Sequence, residues 1–178
     1  MNKIMSGTLT VMGVLALAGC GHNAQQQAAT TVAQKTSAQT PSPAGNPQVI
    51  DASALALAKS TNQPCSLDSI DGNYAKQVHV AQNKLHVFRG WLLDASRQPA
   101  GNFNLVLEGR QSYAIPAVTG VARPDVGDYL KNPALAQAGF EFSSALQDVE
   151  LGQYTLLLMV KVQHRELICQ LAKDVIVE

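Results

Sequence analysis

Two histidines are the first residues whose type and spacing raise a question of chemistry. His79 and His86 stand on either side of Gln82-Asn83-Lys84, in two runs of alternating apolar residues that predict the arms of a β-hairpin. A zinc site needs three or four converging side chains. No further ligand stands at a suitable spacing from these two, so the sequence predicts no metal and no other cofactor.

Familiar catalytic signatures are absent from the sequence. The chain has no His-Glu-x-x-His motif for zinc, no Gly-x-Ser-x-Gly elbow for a serine nucleophile and no glycine-rich phosphate loop. Its carboxylates are scattered singly, so no pair can be assigned to acid and base roles. The sequence favours a protein that is not an enzyme, with an unrecognised enzyme as one alternative.

The segment from Ala122 to Leu130 is the best candidate for a binding site. It departs from the two-residue periodicity around it and gathers Arg123, Asp125 and Tyr129. Arginine offers a planar fork to carboxylate or phosphate groups, and tyrosine adds contact area at low entropy cost. The alternative is structural, because Arg123 and Asp125 flank a proline and could pair across a tight turn.

The N-terminal segment indicates where the protein acts. After Lys3, an uncharged apolar run of about 14 residues begins at Ile4, too short to span a hydrocarbon core as a helix and typical of a secretory signal peptide. The run ends in Leu17-Ala18-Gly19-Cys20, which resembles the lipobox of bacterial lipoproteins. The resemblance implies removal of residues 1–19 and membrane anchoring through lipid on Cys20. An ordinary signal peptide with a chance cysteine is the alternative.

Membrane sorting and charge narrow the location and the partners. Gly21 follows the cysteine, where aspartate commonly retains lipoproteins in the inner membrane, so the resemblance implies the outer membrane. Whether the domain faces the periplasm or the surface stays open. The chain carries 13 Lys and Arg against 13 Asp and Glu. This neutral balance argues against a nucleic-acid groove and against a polybasic membrane surface.

Composition divides the mature chain into a tether and a domain. Residues 20–62 are rich in Ala, Gln, Thr, Ser and Pro and contain no aromatic residue, which predicts a flexible tether. Within it, Asp51 or Ser53 could cap a short Ala/Leu helix, which would be marginal unless it docks on something. The domain is expected at residues 63–178.

Two-residue periodicity dominates that domain. Phe103, Leu105 and Leu107 alternate with polar residues, and a second run begins at Tyr154. Several such runs at roughly ten-residue spacing predict an all-β fold, an antiparallel immunoglobulin-like β-sandwich, with a small β-barrel as the alternative. One short helical insertion is expected within residues 124–138.

Cysteine parity predicts one disulfide. If lipid occupies Cys20, then Cys65 and Cys169 remain, in a compartment that permits disulfides. A bridge between them would close a loop of about 100 residues. Two buried free thiols are the alternative.

Five short motifs together resemble a loosely defined group of bacterial envelope β-sandwich domains, found on lipoproteins or on membrane proteins of surface-glycan pathways. The resemblance implies no shared activity. Two residues of these motifs have structural interpretations. Tyr154 is expected to form a tyrosine corner, and Trp91 is expected to anchor a core. The motifs are Cys65–Gly72, Gly90–Asp94, Arg123–Val126, Ala138–Phe140 and Leu151–Leu156.

These observations favour an outer-membrane lipoprotein whose non-catalytic sandwich binds or scaffolds an envelope protein or glycan. Its partners would be membrane lipid, through Cys20, and that unidentified envelope molecule. A periplasmic inhibitor or immunity lipoprotein is the second hypothesis. A glycan binder should show exposed aromatic residues in a groove, an inhibitor a protruding loop, and an enzyme a concave site with perturbed ionisable groups.

Overall fold

A computed structural model of the chain describes residues 42–43, 45–61, 64–162 and 165–178. The predicted signal peptide and Cys20 lie outside them. The helices are α1 (Ala52–Leu57) and α2 (Pro124–Tyr129), followed by a 3₁₀ turn at Pro133–Gln137. Neither helix in these ranges has the length and apolar character needed to cross a membrane. The strands are β1 (Ser42–Pro43), β2 (Gln48–Ile50), β3 (Lys59–Ser60), β4 (Cys65–Ile70), β5 (Gln77–Val80), β6 (Leu85–Leu92), β7 (Asn102–Glu108), β8 (Ser112–Val118), β9 (Gly139–Ala145), β10 (Gly152–Val162) and β11 (Arg165–Val177).

The strands form two sheets around a shared core. One sheet has the order β1-β9-β6-β4, and the other has the order β2-β8-β7-β10-β11, with β3 and β5 both paired to β11. Pairing is antiparallel in the middle of both sheets and parallel where the short strands β1, β3 and β5 join. The predicted all-β sandwich is therefore confirmed. The barrel alternative is wrong, because both described sheets are open.

The core follows the predicted alternation. Leu156 and Leu158 of β10 and Leu105 of β7 are fully buried. The facing sheet contributes aromatic rings, and the ring centroids of Phe103 and Phe140 lie 4.8 Å apart in a tilted arrangement. Aromatic side chains bury large apolar areas, so this contact between the sheets adds to the sandwich's stability.

The seven-stranded sheet is buried on part of its outer face as well. Leu157 and Met159 of β10 point away from the main core, yet they are 4% and 5% exposed. Leu55 of α1 packs in a second apolar cluster with them and with Ile168 of β11. The helix therefore covers apolar surface that would otherwise face water.

That covering helix belongs to the stretch predicted to be tether. The Asp51 carboxylate accepts a hydrogen bond from the Ser53 amide at 2.8 Å, so Asp51 caps α1 as one of the two expected residues. On either side of α1, β2 pairs with β8 and β3 pairs with β11. The folded unit therefore includes residues 48–61 and begins before residue 63.

The predicted hairpin between β5 and β6 is wrong. β5 pairs with β11 in the larger sheet, whereas β6 pairs with β4 and β9 in the smaller one. The chain crosses from one sheet to the other between Val80 and Leu85. Alternating apolar residues indicate a strand with one buried face, and they do not distinguish a paired neighbour from one in the opposite sheet.

The helical insertion forms where it was expected, and it explains Trp91. Val126 of α2 and Leu135 of the 3₁₀ turn are buried in a third apolar cluster with Leu93. Trp91 is half-buried and packs against that cluster. It is therefore a core anchor, as predicted, but the core that it anchors is the small cluster under the insertion.

Tyr154 forms the predicted tyrosine corner. Its hydroxyl donates a hydrogen bond to the Glu150 carbonyl oxygen at 2.7 Å. The ring meets Tyr113 edge-to-face at 6.0 Å, and the Tyr113 hydroxyl accepts the Glu150 amide hydrogen at 3.2 Å. Two buried tyrosines thus hold the turn that enters β10.

Candidate functional site

A disulfide joins the two sheets. Cys65 begins β4 in the smaller sheet and Cys169 lies in β11 of the larger one, and their sulfurs are bonded with Cα atoms 6.5 Å apart. This separation is within the usual range for a disulfide. The predicted bridge is confirmed, and the alternative of two free thiols is wrong.

A groove of about 690 Å³ lies against three strands of the smaller sheet, with one wall from the loop before α2 and another from β11. This volume is typical of small-molecule and saccharide-sized sites. Its charged and aromatic lining residues come from six separate parts of the chain. They are Asp68, Tyr74, Arg89, Arg123, Phe140, Glu141 and Lys173.

Arg123 binds two carboxylates at one end of the groove. Its Nε and Nη2 donate to the two oxygens of Asp125 at 2.8 and 2.7 Å, and its Nη1 donates to Asp68 Oδ2 at 2.6 Å. The pair with Asp125, followed by the contact with Asp68, raises the pKa of Arg123, and Arg123 lowers the pKa of Asp125. The predicted pairing across Pro124 is present, and it extends to β4.

A glycine makes room for the Arg123 side chain. A Cβ atom at Gly139, the first residue of β9, would lie 2.5 Å from Arg123 Cγ and 2.6 Å from the Val121 carbonyl oxygen. Any larger residue would push the arginine stem away from the sheet. The Ala138-Gly139-Phe140 motif therefore holds the loop down onto the sandwich.

Lys173 is the most unusual residue of the groove. It is only 8% exposed, which is rare for lysine unless the ammonium is paired. Its Nζ donates to the Asp68 carbonyl oxygen at 3.0 Å, and no second acceptor for it occurs among the described residues. Burial lowers the pKa of Lys173, and the negative charge of Asp68 offsets part of that effect. Since an ammonium has three N–H donors, a ligand in the groove could supply further acceptors.

The far end of the groove combines an ion pair with an aromatic ring. Arg89 Nε and Nη2 donate to the two oxygens of Glu141 at 2.6 and 3.2 Å, directly across the β6–β9 pairing. Tyr74 also lines the groove and is 75% exposed. An exposed aromatic side chain beside a bidentate pair offers both an apolar face and ordered polar atoms.

The structure keeps Arg123 and Asp125 of the predicted binding site together and separates Tyr129 from them. Arg123 lines the groove, and Asp125 contacts Arg123 at the groove's rim with a largely exposed carboxylate. Tyr129 is 76% exposed and lines a different hollow, with Trp91 and Cys65. The predicted loop therefore contributes one residue to the groove's lining, not three.

The two histidines have separate partners. His86 is buried, with Nδ1 2.6 Å from Asp71 Oδ2 and Nε2 2.8 Å from the Ala81 carbonyl oxygen. His79 is exposed, and its Nδ1 lies 3.0 Å from Glu178. Among the described residues, no group of three or more His, Cys, Asp or Glu side chains is placed to hold a metal ion.

Sequence reasoning missed most of the groove, although one signal for it was present. Along β11, Leu171 and Val175 are buried at alternating positions, and Lys173 stands between them in the same register. A lysine at an inward position of a core strand predicts a buried charge that needs a partner. No comparable sequence pattern marked three other charged residues of the groove, which are Asp68, Arg89 and Glu141.

Comparison with known proteins leaves the family open. No family model matches the chain, and no curated protein does either. A matching solved structure is the X-ray structure of the endo-β-1,4-mannanase from Thermotoga petrophila, with 11% sequence identity and a TM-score of 0.38. The match covers 66% of this chain and 20% of the mannanase chain. A similarity this distant supports no functional assignment.

Proposed function

We propose that the protein is a lipoprotein of the bacterial outer membrane, anchored through an acylated Cys20, whose sandwich binds an acidic saccharide of the cell envelope in the groove. The anchor is supported by the N-terminal sequence, with its apolar run ending at Leu17-Ala18-Gly19-Cys20. The ligand is supported by the chemistry of the groove.

The buried ammonium of Lys173 carries the ligand assignment. The Lys173 residue is 8% exposed, has a single acceptor among the described residues and lines the groove. A buried charge without full compensation is unfavourable. A carboxylate of the ligand would complete its hydrogen bonding and balance its charge, and hydrogen bonds to charged groups are stronger than those between neutral groups.

The remaining lining fits a saccharide. Sugar hydroxyls both donate and accept hydrogen bonds, and the Arg89–Glu141 pair presents donors and acceptors side by side. The apolar C–H face of a sugar ring can pack on an exposed aromatic ring, which Tyr74 provides. Tyr74 thus supplies one of the exposed aromatic side chains expected in the groove of a glycan binder.

A concave groove with shifted pKa values at Arg123 and Lys173 is also what an enzyme would show, but the contacts within it favour binding over catalysis and over inhibition. Both carboxylates in the groove are committed to an arginine, Asp68 to Arg123 and Glu141 to Arg89. Neither is therefore arranged as a proton donor to a substrate. A tight inhibitor would present a protruding loop, whereas Arg123 ties its loop down to β4.

Lys173→Met should weaken binding of a uronic-acid oligosaccharide by about ten-fold or more, because a charge-assisted hydrogen bond is lost while the apolar stem is kept. Isothermal titration calorimetry on the purified protein in detergent measures this. Lys84→Met is the matched control, since Lys84 is exposed and does not line the groove. The neutral, carboxyl-reduced oligosaccharide should bind the unmodified protein more weakly than the acidic one. Equal affinity of the Lys173 variant and the parent would exclude this role for the groove.

Cys20→Ser should abolish lipidation and release the protein from the membrane fraction, because the serine hydroxyl cannot replace the thiol that receives the diacylglycerol. Radioactive palmitate fed to the expressing bacterium measures acylation directly. Cys65→Ser is the control and should keep its label, because Cys65 belongs to the disulfide. Equal labelling of Cys20→Ser and the parent would show that the lipid lies elsewhere or is absent.

A further inference from the structure

A second hollow, of about 710 Å³, lies beside the end of α1 on the outer side of the larger sheet. Its charged lining residues are Lys59 from β3, Lys161 from β10, and Arg165 and Glu166 from β11, and Leu57 from α1 lines it as well. Leu57 and the three cations are called the basic patch below. None of them lines the saccharide groove.

Strand register brings the backbone positions of the three cations together at one end of the sheet, with Lys161 on the face of Glu166 and Arg165 on the face of Val162. Lys59 is opposite Leu167 of β11, and Lys161 is opposite Glu166, the neighbouring residue. Arg165 begins β11 and pairs with Val162 of β10. Residues from three strands are thus held by sheet pairing at one place.

The patch leaves its charges and its apolar side chain exposed. All three cations are exposed, and none forms an ion pair with a carboxylate in the part of the chain that the structure describes. Leu57 is 86% exposed although the rest of α1's apolar face is packed through Leu55. Surface lysines are common singly, but three unpaired cations around an exposed leucine match what interfacial membrane binding uses.

We propose that the basic patch binds the surface of an anionic phospholipid bilayer. Lys59, Lys161 and Arg165 would meet lipid phosphates, and Leu57 would enter the boundary between headgroups and acyl chains. An acidic protein surface could satisfy the cations, but it would leave Leu57 in a polar environment, so charge and apolar exposure together favour lipid. This goes beyond the proposed function, because it concerns different residues and holds with or without a ligand in the groove.

The test uses vesicle co-sedimentation with the chain from Gly21, which lacks the lipidation site and keeps every described residue, both sheets and the disulfide. It should bind vesicles of phosphatidylcholine mixed with phosphatidylglycerol, and hardly bind phosphatidylcholine alone. Changing Lys59, Lys161 and Arg165 together to Gln should weaken binding by about ten-fold or more, given the attraction of each cation to an anionic surface. Leu57→Ser should weaken it in its own right, and added salt should release the protein.

A matched triple variant controls for charge in general. Changing Lys76, Lys84 and Arg110 to Gln removes the same charge from exposed positions outside the patch and should leave vesicle binding close to that of the parent. Circular dichroism checks that all variants are folded. The proposal is overturned if the parent ignores anionic vesicles, if the patch variant binds them as the parent does, or if both triple variants lose binding equally. Saccharide titration reports on the groove separately.

Discussion

Replacing both Cys65 and Cys169 by alanine should lower the free energy of unfolding by about 2–5 kcal/mol. The two cysteines are 104 positions apart. Closing so long a loop restricts the unfolded chain, by about 4–5 kcal/mol in the chain-entropy account. The bridge also joins the two sheets, so its loss removes a covalent link across the sandwich. Chemical denaturation of the purified protein, followed by circular dichroism, measures the difference.

Reduction provides the control for this prediction. A reducing agent should destabilise the parent protein by a similar amount and leave the double-alanine variant unchanged, because the variant has no bridge to lose. Cys20→Ser, which leaves both cysteines in place, should unfold like the parent. If the double variant is as stable as the oxidised parent, the bridge contributes nothing to the stability of the fold.

The central strands could be predicted because each has one face in the core. Leu105 of β7 and Leu156 of β10 alternate with side chains that point to the other face, and that period requires only a local pattern. Pairing is not local. The alternating residues around Val78 would be the same if their strand paired with β6. In the structure that strand, β5, pairs with β11.

The helix α1 shows where composition alone misleads. Its segment has too few large apolar residues to fold by itself, so its composition predicts a tether. It folds because Leu55 meets Leu157 and Met159, which lie a hundred residues further along the chain. A short helix can be stabilised by surface that another element leaves uncovered, and no local pattern reports that surface.

The groove could be predicted only in part for a similar reason. Arg123 and Asp125 are two positions apart, so their pairing could be predicted from the local sequence. Asp68 lies 55 positions from Arg123, and no local pattern indicates that contact. Tyr129 follows Arg123 closely, but α2 carries it to another hollow. Lys173 is the exception. It lies at an inward position between Leu171 and Val175, so the pattern of a single strand predicts that its charge is buried.

Gly90→Ala should lower the free energy of unfolding by about 3 kcal/mol, at the upper end of what overpacking usually costs. Gly90 lies in β6 between β4 and β9, opposite Leu67 on one side and Phe140 on the other. A Cβ there would lie 2.5 Å from Phe140 Cζ and closer still to the Ser66 carbonyl oxygen. Backbone atoms cannot move aside as a flexible side chain can, so β4 itself would have to shift.

The same shift should weaken the groove, because β4 carries Asp68, the residue that Arg123 and Lys173 both contact. Thermal unfolding and saccharide titration of Gly90→Ala should therefore change together. Gly127→Ala is the milder comparison: its Cβ would lie 3.3 Å from the Asn132 carbonyl oxygen, a tight contact without overlap, and the preference of alanine for a helix, up to about 1 kcal/mol, offsets its cost. A Gly90 variant as stable as the parent would show that β4 tolerates a side chain at this position, and that the close approach of the strands is not required by the fold.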